Sequence, residues 1–142
     1  MITMSVTDEV LDRMFEKALA VRKNAYVPYS QFPVAACVLS DGGEIFAGVN
    51  VDNASFPETA CAEANAIGAM ILAGHRRIEA VLVLGGDEQT AVVCTPCGGC
   101  RQRLAEFTPP NATVFACGPE GIRDVSRFAD LLPKSFGPAN LA

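Results

Sequence analysis

The run from Ile78 to Gly85, apolar throughout except for Glu79, restricts the fold more than any other stretch of this chain. A continuous apolar run of this length reads as a strand buried on both faces, and such a strand needs cover on both sides. The flanking segments can supply that cover. Thr7 to Asn24 carries Val10, Leu11, Met14, Phe15, Ala18 and Val21 at helical spacing, with Thr7, Asp8 and Glu9 as a start signal and Pro28 just past its end. Ala60 to Ala73 forms a small-residue apolar helix that stops at Gly74, and a third helix runs from near Cys97 to Phe107, before Pro109-Pro110.

Strand patterns fill the remainder. Val34 to Ser40 and Glu44 to Asn50 flank Asp41-Gly42-Gly43, a strong hairpin signal. Val92 to Cys94 extends a further strand until Pro96 interrupts it. Thr113 to Cys117 and Ile122 to Phe128 flank a turn at Gly118 to Gly121. Tyr26 to Pro33 and Asp52 to Thr59 read as irregular connections. Strands alternating with helices predict an α/β domain with a mixed sheet covered on both faces. The length, 142 residues, fits a single domain over 1–142, with no internal repeat or low-complexity linker.

Charge narrows the partners. The formal net charge is -5, and adjacent basic residues occur only at Arg22-Lys23 and Arg76-Arg77. A nucleic-acid binder shows a basic stripe or groove, which is missing here. A small neutral ligand suits this balance. No run reaches the apolar length of a membrane span, and Met1 to Asp12 lacks a basic-then-apolar leader pattern. A cytoplasmic location is expected, where six cysteines read as metal ligands or core residues before disulfides.

Two cysteine stretches carry chemistry: Cys61-Ala62-Glu63 and Pro96-Cys97-Gly98-Gly99-Cys100. Each stands where a loop enters a helix. Cys97 and Cys100 share one face of a first helical turn. Helix N-termini favour thiolate, the form that binds zinc. Three thiolates leave one tetrahedral position for water, the mark of a catalytic zinc site. Glu63 is not needed as a ligand and is placed to move protons. Three such ligands, a non-ligand Glu and P-C-x-x-C form the known signature of zinc deaminases.

Alternatives stand beside that reading. Cys94 lies three before Cys97, so a closed four-cysteine structural site is compatible with the spacing. Against it, Pro96 breaks the local geometry, and Cys94 ends an apolar run, as a core cysteine does. Cys37 and Cys117 read as core. His75, the only histidine, follows Gly74 and reads as an exposed cap at a helix end.

The chain resembles the small, tetrameric type of cytidine deaminase from Tyr26 to Leu141. The likeness rests on Pro28-Tyr29-Ser30 with Phe32, Asn50-Val51-Asp52-Asn53-Ala54-Ser55, Cys61-Ala62-Glu63, Thr95 to Gln102, Leu131-Leu132-Pro133 and Phe136. The resemblance implies a three-layer α/β/α fold with a mixed five-stranded sheet. It also implies hydrolysis of cytidine and 2′-deoxycytidine to uridine and 2′-deoxyuridine plus ammonia, in pyrimidine salvage. Hydroxide held on Zn²⁺ by Cys61, Cys97 and Cys100 would attack C4, with Glu63 as proton shuttle. Phe32 would pack on the pyrimidine ring, Asn50 would hydrogen-bond the sugar 3′-hydroxyl, Asp52 would contact the sugar, the Ala62 N–H would meet O2, and the Thr95 carbonyl would accept from the amino group. Phe136 would reach the base in a neighbouring subunit of a homotetramer with shared active sites.

For Phe32 the residue itself offers core packing equally well, and for Asn50 a turn at a strand end. The chain departs from the family pattern at three positions. Asp52 stands where Glu is usual, Ala64 where an Arg often offsets thiolate charge, and Phe56 where Tyr is common. The helix N-termini and Arg101 are then left to compensate the sulfurs. Three rival functions share the sequence features: a deaminase of modified cytosine nucleosides of the blasticidin S type, a non-catalytic zinc-stabilised domain, and a polynucleotide editor. The acidic balance argues against the last.

Overall fold

The computed structural model describes residues 6–142; residues 1–5, part of the start read above for a leader pattern, lie outside it. Helix α1 spans Asp8–Arg22 and is followed by strands β1 (Ala35–Ser40) and β2 (Ile45–Val49). Helix α2 (Ala62–Leu72) precedes strand β3 (Ile78–Leu84) and helix α3 (Gly98–Ala105). Strands β4 (Thr113–Gly118) and β5 (Gly121–Arg127) and the short helix α4 (Phe128–Leu131) complete the order, with 3₁₀ turns at Phe56–Glu58 and Pro138–Asn140.

The strands form one mixed sheet in the order β2-β1-β3-β4-β5. Only β3 and β4 run parallel, with Ala80 opposite Thr113 and Leu84 opposite Cys117; the other neighbours are antiparallel. As expected of a continuous apolar run, β3 is packed on both faces. Ala80, Leu82 and Leu84 face the α1 side, where Leu11, Met14 and Ala18 lie buried with Cys37, Phe115 and Cys117. Val81 and Val83 face the other way, against Ala66, Ile67 and Met70 of α2 and Leu104 of α3. The layered α/β/α arrangement expected from the sequence is the one observed.

Local chemistry explains the helix ends. The Thr7 hydroxyl accepts from the Val10 N–H at 3.3 Å and caps α1. Helix α2 ends in a Schellman turn: Gly74 (φ +93°) donates to the Ile71 carbonyl at 3.0 Å and His75 to the Met70 carbonyl at 3.1 Å. The hairpin β1–β2 turns at Gly43 (φ +83°), as its D-G-G sequence predicts. Gly48 on β2 has a different purpose. A Cβ there would overlap the Ala62 carbonyl and the Ala66 nitrogen, so its absence lets the first turn of α2 settle onto the sheet.

Three expectations need correction. Val92 to Cys94 is not a strand. The chain leaves β3 through Gly86 (φ +83°), both edges of β3 are already paired by β1 and β4, and Arg123 holds the loop by its Val92 and Asp87 carbonyls at 2.9 and 2.6 Å. His75 is not an exposed cap. Its backbone closes α2, while its half-buried ring packs on Phe46 and lies 3.6 Å from the Glu44 carboxylate. Finally, α2 starts at Ala62 rather than Ala60, because Ala60 is bridged to Val51. Among the described residues no helix is long and apolar enough to cross a membrane.

Candidate active site

Two helix N-termini meet at one end of the sheet. Cys61 is the N-cap of α2 and Cys97 the N-cap of α3, with Cys100 one turn into α3. Their three sulfurs lie within 4.8 Å of one another. A tetrahedron with Zn–S bonds of about 2.3 Å has sulfur–sulfur edges of about 3.8 Å, so the cluster is of the right size for one zinc ion.

Electrostatics support the same assignment. The Cys97 thiol is lowered, first because the Cys100 N–H donates to it. Cys61 and Cys100 are raised, first by burial. Three negative sulfurs this close repel one another unless a cation sits among them, and a dication offsets both the repulsion and the burial cost. The residues present therefore fit a zinc ion. Among the described residues no fourth histidine, cysteine or carboxylate joins the cluster. Cys94 stays out of it: its side chain packs on Gly85, where a Cβ would strike its sulfur, and burial raises its thiol to about 11. The four-cysteine alternative is not the arrangement found.

Glu63, in the first turn of α2, is 5% exposed. Desolvation raises its carboxyl above the ordinary glutamate range, partly offset by its own backbone N–H and by the Cys100 side chain. A carboxyl shifted toward neutrality both takes and returns a proton readily. With Cys61 and Cys97 it lines a cavity of about 250 Å³ that also contains Phe32, Asn50, Ala62 and Thr95. A second hollow of about 640 Å³ shares Phe32, Cys94 and Thr95 and opens beside Arg22.

Four of the expected substrate residues, Phe32, Asn50, Ala62 and Thr95, are thus brought together. Asn50 donates to the Phe32 carbonyl at 2.8 Å and accepts from the Val34 N–H at 2.9 Å, so one amide fixes both sides of the Phe32 segment. Ala62 is the first residue of α2, where an N–H has no partner within the helix. Thr95 is held by Arg101, whose guanidinium donates to the Thr95 hydroxyl at 3.1 Å and to the Pro96 and Leu131 carbonyls, both at 2.8 Å. Arg101 spends those donors on the loop that carries Thr95 and on the end of α4, and none of its hydrogen bonds goes to a sulfur.

Two expected residues lie elsewhere. Asp52 is absent from the cavity lining; its carboxylate accepts from the Tyr29 and Ser30 N–H groups at 3.2 and 2.8 Å and from the Ser30 hydroxyl at 3.2 Å. Phe136 lies in a separate hollow beside Phe128 and Leu132, its carbonyl accepting from Gln102 at 3.0 Å. Sequence reading missed Val34 and Thr59, which also line the site cavity. Val34 carries no chemical signature, and Thr59 is one hydroxyl in a loop; only their position marks them.

The chain matches the family described as "Cytidine and deoxycytidylate deaminase zinc-binding region" over residues 8–117. It is 33% identical over 132 residues to the cytidine deaminase of Sporosarcina psychrophila, covering 93% of this chain and 95% of that one. The Mycoplasma genitalium cytidine deaminase is 39% identical over 105 residues, 74% of this chain and 78% of its own. Among solved structures, cytidine deaminase from Burkholderia pseudomallei superposes with a TM-score of 0.80 at 35% identity, covering 92% of this chain and 100% of that one. The Mycobacterium leprae enzyme gives 0.75 at 36%, with 91% and 100% covered. With three cysteine sulfurs gathered at two helix N-termini and likeness along nearly its whole length, this chain belongs to the cytidine and deoxycytidylate deaminase zinc-binding family.

Proposed function

We propose that the chain, as one domain over residues 1–142, hydrolyses cytidine and 2′-deoxycytidine to uridine and 2′-deoxyuridine plus ammonia. The carrying observation is the convergence of Cys61, Cys97 and Cys100 with the buried carboxyl of Glu63 on one cavity. Bound to the three sulfurs, Zn²⁺ supplies Lewis-acid activation of water.

The protein's own residues do the rest. Glu63 takes a proton from water and delivers it to N3 of the pyrimidine, which makes C4 electrophilic. A second proton passed through Glu63 reaches the amino group, which departs as ammonia while the oxygen from water stays on C4. Phe32 packs on the ring, and the Ala62 N–H meets O2. The Thr95 carbonyl accepts from the amino group, and Asn50 meets the sugar with its second amide hydrogen. Burial of the Glu63 side chain keeps its proton from bulk water.

The larger assembly belongs to the same reading. Phe56, Leu72, Val92, Phe136 and Leu141 are exposed apolar side chains, an excess that subunit contacts would cover. A homotetramer in which Phe136 completes a neighbour's site accounts for Phe136 lying away from its own cavity. No disulfide links the six cysteines, which suits the reducing cytoplasm expected above.

The test measures zinc per chain together with the loss of cytidine absorbance on incubation. One zinc per chain and conversion to uridine are expected. A zinc-loaded protein inert toward both nucleosides would refute the assignment. Including blasticidin S in the same assay separates the modified-nucleoside alternative.

A further inference from the structure

Asp52 is an acid beside the site that the reaction does not use, and its surroundings are specific. It is 6% exposed. One carboxylate oxygen receives the Tyr29 and Ser30 N–H groups, and the other receives the Ser30 hydroxyl. The Ser30 oxygen in turn accepts from the Phe32 N–H at 3.3 Å. Gln31, between them, adopts a left-handed φ of +53° and donates to the Val27 carbonyl at 2.9 Å. Beyond it, the Phe32 carbonyl is taken by Asn50. The backbone of Phe32 is therefore held on its N–H side by a relay from Asp52 and on its carbonyl side by Asn50. The ring itself is left half exposed against the cavity.

Backbone pairing fixes where Asp52 stands. Its N–H donates to the Tyr26 carbonyl at 2.8 Å, and Val51 is bridged to both Tyr26 and Ala60. From that ledge the short aspartate stem reaches the 28–32 turn. Its three donors hold the carboxyl below the ordinary aspartate range, the Ser30 N–H first. Of the two polar side chains expected at the sugar, only Asn50 lines the cavity.

We propose that Asp52 is a positioning residue that fixes the turn presenting Phe32, so that the sugar 3′-hydroxyl is read by Asn50 without a carboxylate and nucleosides lacking that hydroxyl are tolerated. The inference rests on the nucleoside-deaminase reading above. A neutral hydrogen bond contributes up to about tenfold in kcat/KM, and one to a carboxylate about 10- to 100-fold. That gap makes the two roles of Asp52 distinguishable.

The experiment compares cytidine with 3′-deoxycytidine on the zinc-loaded wild type, Asp52→Asn and Ser30→Ala. Wild type is expected to prefer cytidine by no more than about tenfold. Both variants should raise KM for the two nucleosides by the same factor, within about threefold, with kcat nearly kept, because a misplaced ring weakens ground state and transition state alike. A preference near 100-fold in wild type that collapses in Asp52→Asn would instead make Asp52 a ligand of the sugar and overturn the proposal.

A second readout needs no turnover. In ligand-free protein, the amide proton resonances of Tyr29 and Ser30 should follow the acid titration of a carboxylate in wild type and lose that response in Asp52→Asn. Identical behaviour in the two proteins also overturns the proposal. If wild type turns over neither nucleoside, the deaminase reading fails, while the amide resonances still decide what Asp52 holds. Ser30→Ala keeps the kinetic comparison intact should Asp52→Asn fail to fold.

Discussion

Glu63 and Cys97 carry opposite expectations that a single pair of measurements separates. Glu63→Gln keeps the shape of the side chain but removes its capacity to take a proton. Turnover of cytidine should fall by about 10²- to 10⁴-fold, while metal analysis finds zinc at the wild-type level. Cys97→Ala removes a sulfur whose thiol is already lowered by the Cys100 N–H. Zinc content should drop toward zero and the melting temperature with it, since metal held only by the folded chain stabilises that state. The candidates for these roles were legible in sequence because zinc chemistry demands particular atoms at particular spacings. Asp52 was not legible in the same way. Its type and position suggest a sugar contact, yet the Tyr29 and Ser30 amides hold its carboxylate.

At the scale of elements, the approach of α2 to β2 sets the site. Cys61 and Glu63 ride on the first turn of α2, and that turn rests on Gly48. Gly48→Ala should cost about 1–3 kcal/mol in denaturant unfolding, with a further loss of zinc affinity as the α2 N-terminus lifts. The 28–32 turn gives a pH-dependent counterpart. Because the folded protein lowers the Asp52 carboxyl, its contribution is present above the ordinary aspartate value and is lost as pH falls through the lower folded one. Chemical unfolding of wild type and Asp52→Asn from pH 7 to pH 3 should show wild type the more stable, the gap closing only below about pH 4. Most element boundaries were readable from periodicity and turn residues. Val92 to Cys94 misled because an apolar run says nothing of whether a sheet edge is open to receive it.

For the molecule as a whole, the shared-site assembly predicts complementation. Adding the inert Glu63→Gln protein to a fixed amount of Phe136→Ala, under conditions that exchange subunits, should raise cytidine turnover. Intact Phe136 side chains then complete sites that still hold Glu63; unchanged turnover in mixtures shown to exchange would exclude sharing. By itself the amino-acid order determined the layered architecture and the identity of the metal-binding sulfurs. Burial on both faces of β3 forces helices onto both sides, and a thiolate trio with a nearby acid is a chemical pattern independent of distance along the chain. Only the tertiary structure decided where polar side chains spend their hydrogen bonds: Asp52 on a turn, Arg101 on Thr95, Pro96 and Leu131 oxygens, His75 against Phe46 and Glu44. The physical reason is range. Helical and pleated repeats are set by neighbours a few residues away, whereas a carboxylate or guanidinium takes whichever partner the fold brings within about 3 Å.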